Sequence, residues 1–198
     1  MLKSLDVYLI PTRKQRYILY SQPEALEAFE ATSGDRIRKV IAWFMRKPNR
    51  LVAWAGRGLN TGYGYYLRLE NRIDPIERVL KAMPLADFIV IHFVTIPNGG
   101  TIRAEFERVL KRQRLKHIIW FSVDMVVSPV VLVFTPFLAP LPGPNVFFYY
   151  PFFRLLSHYR AIRGATSGLR SSGLEFKSLP EKSGLEDNPR LARFFGKD

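Results

Sequence analysis

The chain of 198 residues has no cysteine. Disulfide scaffolding, thiolate nucleophiles and cysteine-ligated zinc are therefore excluded. Histidine is almost as scarce, with three in the whole chain, His92, His117 and His158. No HExxH, no GxSxG and no paired metal-ligand spacing is present, so no catalytic motif is read and neither cofactor nor metal is expected. His92 lies in an apolar run and reads as a satisfied core side chain. The glycines of "AGRGLNTGYGYY", at 56, 58, 62 and 64, are not followed by Gly-Lys-Ser/Thr and follow no clear strand, so they read as a flexible loop and not a phosphate cradle. The opening "MLKSLDVYLIPTRK" has too short an apolar run for a signal peptide, and Asp6 interrupts it.

Negative charge is also in short supply. Thirty Lys and Arg stand against 17 Asp and Glu, a net charge of +13 with a pI near 10.2. The surplus sits in residues 1–117, with 21 basic and 11 acidic side chains. Such a chain is drawn to nucleic acid or to an anionic membrane surface. No recognised RNA motif accompanies the charge, so lipid ranks above nucleic acid as a partner.

What is present reads as α+β. "LDVYLIPTRKQRYILYSQP" predicts a β-hairpin, with runs Leu5–Ile10 and Tyr17–Tyr20 around a basic turn. Pro23 opens a short helix, and Ser33 or Asp35 can cap a second, "DRIRKVIAWFMRK". Asp74-Pro75 is a cap followed by a favoured first position, and it opens "PIERVLKAM". "ADFIVIHFVTIP" has strand length and β-branched content, and "TIRAEFERVLKRQRLKH" is a basic amphipathic helix. The expected organisation is a small basic α+β module over 1–117, an apolar helical hairpin over 118–163, and a disordered tail over 164–198. The tail is rich in Gly, Ser and mixed charge and has no sustained period.

The middle segment sets the functional expectation. Between Ile118 and Phe153, Asp124 is the one ionisable side chain apart from tyrosines. Its first arm, Ile118–Ala139, would be about 33 Å long as a helix, against a hydrocarbon layer of roughly 30 Å. "PLPGPN" breaks any helix, so Pro140, Pro142, Gly143, Pro144 and Asn145 form a rigid turn. A second, aromatic arm starts at Val146. Both flanks are basic and the turn is uncharged. The preferred topology is thus a membrane hairpin, full or re-entrant, with both ends on the cytoplasmic or matrix side. Lys111, Arg112, Arg114, Lys116, Arg160 and Arg163 are its expected lipid-surface contacts. A soluble, proline-rich core is the alternative.

Within that hairpin, Arg154 and His158 share a helix face at i,i+4, and Tyr150 extends it. Antiparallel arms would bring Asp124 to Arg154 or His158. Ionisable groups in an apolar setting are candidates for an ion or proton path, so Asp124, Arg154, His158 and Tyr150 are the expected site. A purely structural Asp124–Arg154 ion pair is the competing reading.

"PLPGPNVFFYYPFFRLLSHYRAIRG", residues 140–164, and the N-terminal "VYLIPTRKQRYILYS" resemble the mitochondrial potassium–proton exchange-related family, which also has bacterial members. The resemblance implies a mitochondrial inner-membrane or bacterial cytoplasmic-membrane protein linked to K+/H+ exchange, as component or accessory factor. It carries no catalytic residues across. Two arms cannot enclose a path alone, so a homo-oligomer or a partner membrane subunit is expected. The functional alternative is a membrane-anchored basic module that contacts anionic lipid, RNA or a protein partner without transport.

Overall fold

In the computed structural model the described residues are 4–12, 16–70, 74–93, 101–138 and 146–179. The hairpin predicted at the start is β1 (Ser4–Pro11) and β2 (Tyr17–Tyr20), antiparallel, with Tyr8 opposite Tyr20 and Ile10 opposite Ile18. Two long helices follow, α1 (Pro23–Met45) and α2 (Arg50–Glu70). Then come α3 (Pro75–Ala82), a 3-10 turn at Met83–Leu85, and β3 (Phe88–Phe93). A 37-residue helix, α4 (Ile102–Leu138), precedes α5 (Val146–Arg170) and β4 (Leu174–Ser178).

The strands form one sheet in the order β2-β1-β3-β4, with β1–β3 and β3–β4 parallel. Register aligns Leu5, Ile89 and Leu174, then Val7, Ile91 and Phe176, on one face. Alternate positions of a strand share a face, so these rows make one apolar surface. Phe106, Val109 and Leu110 of α4 and Ala161 and Ala165 of α5 join the same core. The Phe106 ring meets Phe176 edge-on at 6.4 Å. His92 projects from the other face, where its Nε2 contacts Asp6 Oδ1 at 2.8 Å and its ring stacks on Tyr8. It is satisfied at Nε2 through Asp6, not by core packing.

Local chemistry accounts for several boundaries. Asp74 accepts a hydrogen bond from the Ile76 N–H at 3.1 Å and caps α3, and Pro75 follows at the first helical position. Elsewhere tertiary packing overrides local preference. The break expected near Ser33 is absent, and α1 runs straight through it. The glycine-rich segment expected to be a loop is the middle of α2. A methyl group on Gly56 would lie 2.8 Å from the Met45 backbone nitrogen, so glycine lets α2 fold tightly back on α1. The propensity cost of helical glycine, ~1 kcal/mol, is outweighed by that close approach.

The disordered tail expected from residue 164 is corrected in its first part. Residues 164–170 complete α5 and 174–178 form an edge strand. Gly164 sits so close to α3 that an added Cβ would lie 1.7 Å from the Leu80 carbonyl oxygen. The small residues that looked like a linker are the contact surface of a packed helix. Residues 180–198 lie outside the described residues. The expected boundary at 117/118 is crossed by α4 without interruption.

The membrane hairpin also needs correction. α4 and α5 do pack along each other. Among the described residues, however, no helix is long and apolar enough to cross a membrane. The first half of α4 is charged, and α5 carries Arg154, Arg160, Arg163 and Arg170 along its length. The expected turn, Pro140 to Asn145, and the Tyr150 side chain lie outside the described residues.

Candidate functional site

The α4–α5 pair changes character along its length. At its sheet-proximal end the inner surface is apolar, with Phe106, Val109 and Leu110 of α4 fully buried. Further along α4 the inward positions become Gln113, His117 and Asp124, all buried. These recur at spacings of four and seven, which keeps them on one helix face. His117 and Asp124 meet His158 of α5, and His117 lies beside Glu77 of α3; Ser157 and Lys81, next to these, are also buried.

Asp124 Oδ2 lies 3.1 Å from Arg154 Nε and 3.5 Å from His158 Nε2. The oxygen receives no well-aligned hydrogen bond, so the Arg154 contact is an ion pair and not a directed bond. The Arg154 guanidinium also lies 4.9 Å from the Trp120 ring centroid, a cation–π arrangement. The structure thus brings together Asp124, Arg154 and His158, three of the residues expected to converge.

The cluster continues through side chains that sequence reasoning left out. His117 Nδ1 lies 2.9 Å from His158 Nδ1. Ser157 Oγ donates to Glu77 Oε1, which Lys81 Nζ also meets at 3.0 Å. His117 Nε2 is buried without a hydrogen-bond partner. Burial pushes both imidazoles below the usual histidine range, against the pull of Glu77. Burial alone would raise the Glu77 carboxyl. Lys81 and the Ser157 hydrogen bond outweigh it and hold the group below its usual value. Two signals pointed to the missing members: Glu77 and Lys81 stand at i,i+4 on α3, and His117 stands seven residues before Asp124.

The expected lipid-surface residues separate into two sets. Arg112 donates to the Tyr17 carbonyl oxygen at 3.0 Å and fixes α4 to β2. Lys111 pairs with Glu107 at 3.7 Å and Lys116 with Asp74 at 3.6 Å. Arg114 and Arg163 are exposed, and Arg160 is half-buried.

The outer surface of α4 changes in the opposite sense to the inner one. Up to Lys116 it presents charge: Arg103, Arg108, Lys111, Arg114 and Lys116. From Ile118 onward it presents Ile119, Trp120, Val123, Val126, Val130 and Val133 to the exterior, with Val126 at 70% and Val133 at 66% exposure.

The sequence profile of one family, described as mitochondrial K+-H+ exchange-related, matches residues 6–169. The chain belongs to that family. The match takes in strands β1 to β3 and nearly all of the α4–α5 pair and ends before β4, and its description associates the family with mitochondrial potassium–proton exchange. No curated protein and no solved structure matches the chain significantly.

Proposed function

We propose that this family member serves potassium–proton exchange as a membrane-associated component or accessory factor. In this reading the distal half of α4 enters the apolar layer of an anionic membrane without crossing it. One observation carries the reading: the polarity of α4 inverts along its length. A water-soluble helix buries its apolar stripe and exposes its polar one. Past His117 this helix does the reverse, with Asp124 buried against α5 and valines outward. That arrangement suits an apolar surrounding medium. Exposed apolar surface of this extent marks an interaction site.

The occupant argued for is lipid. The apolar sweep begins directly after Lys111, Arg114 and Lys116, which suit anionic headgroups. Ile118 to Val133 spans about 24 Å at ~1.5 Å per residue. That is short of the ~30 Å hydrocarbon layer, so insertion is partial. Under this proposal Asp124, Arg154 and His158 are the ionisable groups on the interior side, available to monovalent cation or proton chemistry. A second copy or a partner membrane subunit completes any path, because a single helix pair encloses none.

Vesicle flotation tests the reading. The chain is expected to float with phosphatidylglycerol vesicles and less with neutral phosphatidylcholine. A Val126→Asp, Val130→Asp double variant should remain in the pellet with its fold intact. Equal recovery of wild type and variant would overturn insertion. K+-dependent proton flux in liposomes, unchanged when the chain is present with its native membrane fraction, would overturn the link to exchange.

A further inference from the structure

The structure assigns a divalent transition-metal site of the zinc class to Glu77, His117 and His158. One ligand atom from each lies within 4.8 Å of the other two. Three elements, α3, α4 and α5, each supply one ligand. The inference stands on this geometry and is independent of the exchange reading.

Four features support it. The two Nδ1 atoms are 2.9 Å apart. Two nitrogens on one zinc, each at ~2.0–2.1 Å, lie roughly 3.3 Å apart in a tetrahedron, a few tenths from what is seen. Next, both imidazoles are buried, which favours the neutral form that ligates. Then, the far nitrogen of His158 lies 3.5 Å from the Asp124 carboxylate and accepts a hydrogen bond from Arg154 Nε at 3.5 Å in the metal-free protein, so ligation through Nδ1 would place the imidazole proton on Nε2, next to Asp124. A carboxylate behind a ligating histidine is the usual device for fixing its tautomer and aiming its other nitrogen at the metal. Finally, Ser157 holds Glu77 by a hydrogen bond, so the carboxylate is oriented before any ion arrives.

The charges set the site's character. Glu77 and Asp124 are balanced by Lys81 and Arg154, and the Lys116–Asp74 pair acts on His117 through space with opposite signs. A divalent ion therefore competes with Lys81 for Glu77. Three protein ligands leave a coordination position open to water or to a small anion.

Cobalt and zinc titration of the full chain, stripped with chelator, tests the site. One Co2+ per chain should bind with tetrahedral d–d absorption, and one Zn2+ should displace it. His117→Ala, His158→Ala and Glu77→Gln should each weaken binding by at least about tenfold, and Asp124→Asn by about 10- to 100-fold. Lys81→Met should tighten it, a result that loss of fold could not mimic. Circular dichroism of each variant identifies any that fail to fold. Absence of the cobalt spectrum in wild type would overturn the site and leave a direct imidazole–imidazole hydrogen bond. Binding unchanged in a folded His117→Ala variant, or weakened in Lys81→Met, would overturn it as well.

Discussion

The two halves of α4 are the same helix solving two different problems. From Ile102 to Arg112 the helix buries Phe106, Val109 and Leu110 against the sheet and turns Arg103, Arg108 and Lys111 outward. From Gln113 the buried positions hold Gln113, His117 and Asp124, and past His117 the outward ones hold valine, isoleucine and tryptophan. The first half is stabilised by apolar burial, at ~25 cal/mol per Å². The second is held to α5 by ionic and hydrogen-bonded contacts, whose net contribution is smaller because desolvation opposes it. One periodicity thus carries two interior chemistries. The difference locates the site in the second half.

The contrast can be broken at either end. In the first half, Phe106→Ala should cost about 4 kcal/mol, within the usual range for a buried aromatic. Urea denaturation measures it, and a loss under ~1 kcal/mol would mean that the sheet-proximal core is loose. Gly164→Ala tests the junction, because its Cβ would strike the Leu80 carbonyl. A loss of about 3 kcal/mol is expected from overpacking, read as a lower denaturation midpoint. A neutral result would show that α5 is not seated on α3.

In the second half, Asp124→Asn should cost about 2 kcal/mol. That is below the ~3–5 kcal/mol of a fully buried pair, because the Arg154 side chain is 33% exposed. The urea midpoint again reports it, and an unchanged midpoint would make the ion pair incidental.

The histidine pair makes this half sensitive to pH. In metal-free buffer both imidazoles titrate below the ordinary value of 6.5 because they are buried. The unfolded chain therefore takes up more protons than the fold as pH falls through that value. The associated stability is full above it and is lost on acidification. The midpoint should drop from about pH 7.5 to about pH 5.5, and a His117→Gln, His158→Gln variant should flatten that drop. The smallest effect is expected from Val126→Ser on the exposed face. Its stability in buffer should change by less than ~0.5 kcal/mol, while vesicle recovery falls. A large stability loss would show that Val126 is covered within the fold.

Legibility in the sequence followed the range of the interactions. The β1–β2 hairpin and the Asp74-Pro75 cap were readable because each is decided within a few residues. The convergence of Asp124, Arg154 and His158 followed from helical spacing and an antiparallel pair. The helical fate of Gly56 and Gly164 was not readable. Local propensity penalises glycine in a helix, and the contacts that outweigh this penalty come from Met45 and Leu80 on other helices. The apolar run after His117 read as a span because hydropathy does not say which face is inward. Its apolar residues turned out to lie on the outer surface, with Asp124 inside.

By itself the sequence determined the basic charge, the absence of cysteine chemistry, the local hairpin and cap, and the family. These depend on composition or on neighbours along the chain. The tertiary structure alone decided that Glu77, His117 and His158, separated by about forty residues each, meet at one point. It also decided that β4 closes the sheet edge beside β3. The second is a consequence of the β3–β4 ladder, and the first of packing α3, α4 and α5 together. The partners there are chosen by close approach at Gly164 and by the burial of charge, which no local pattern records.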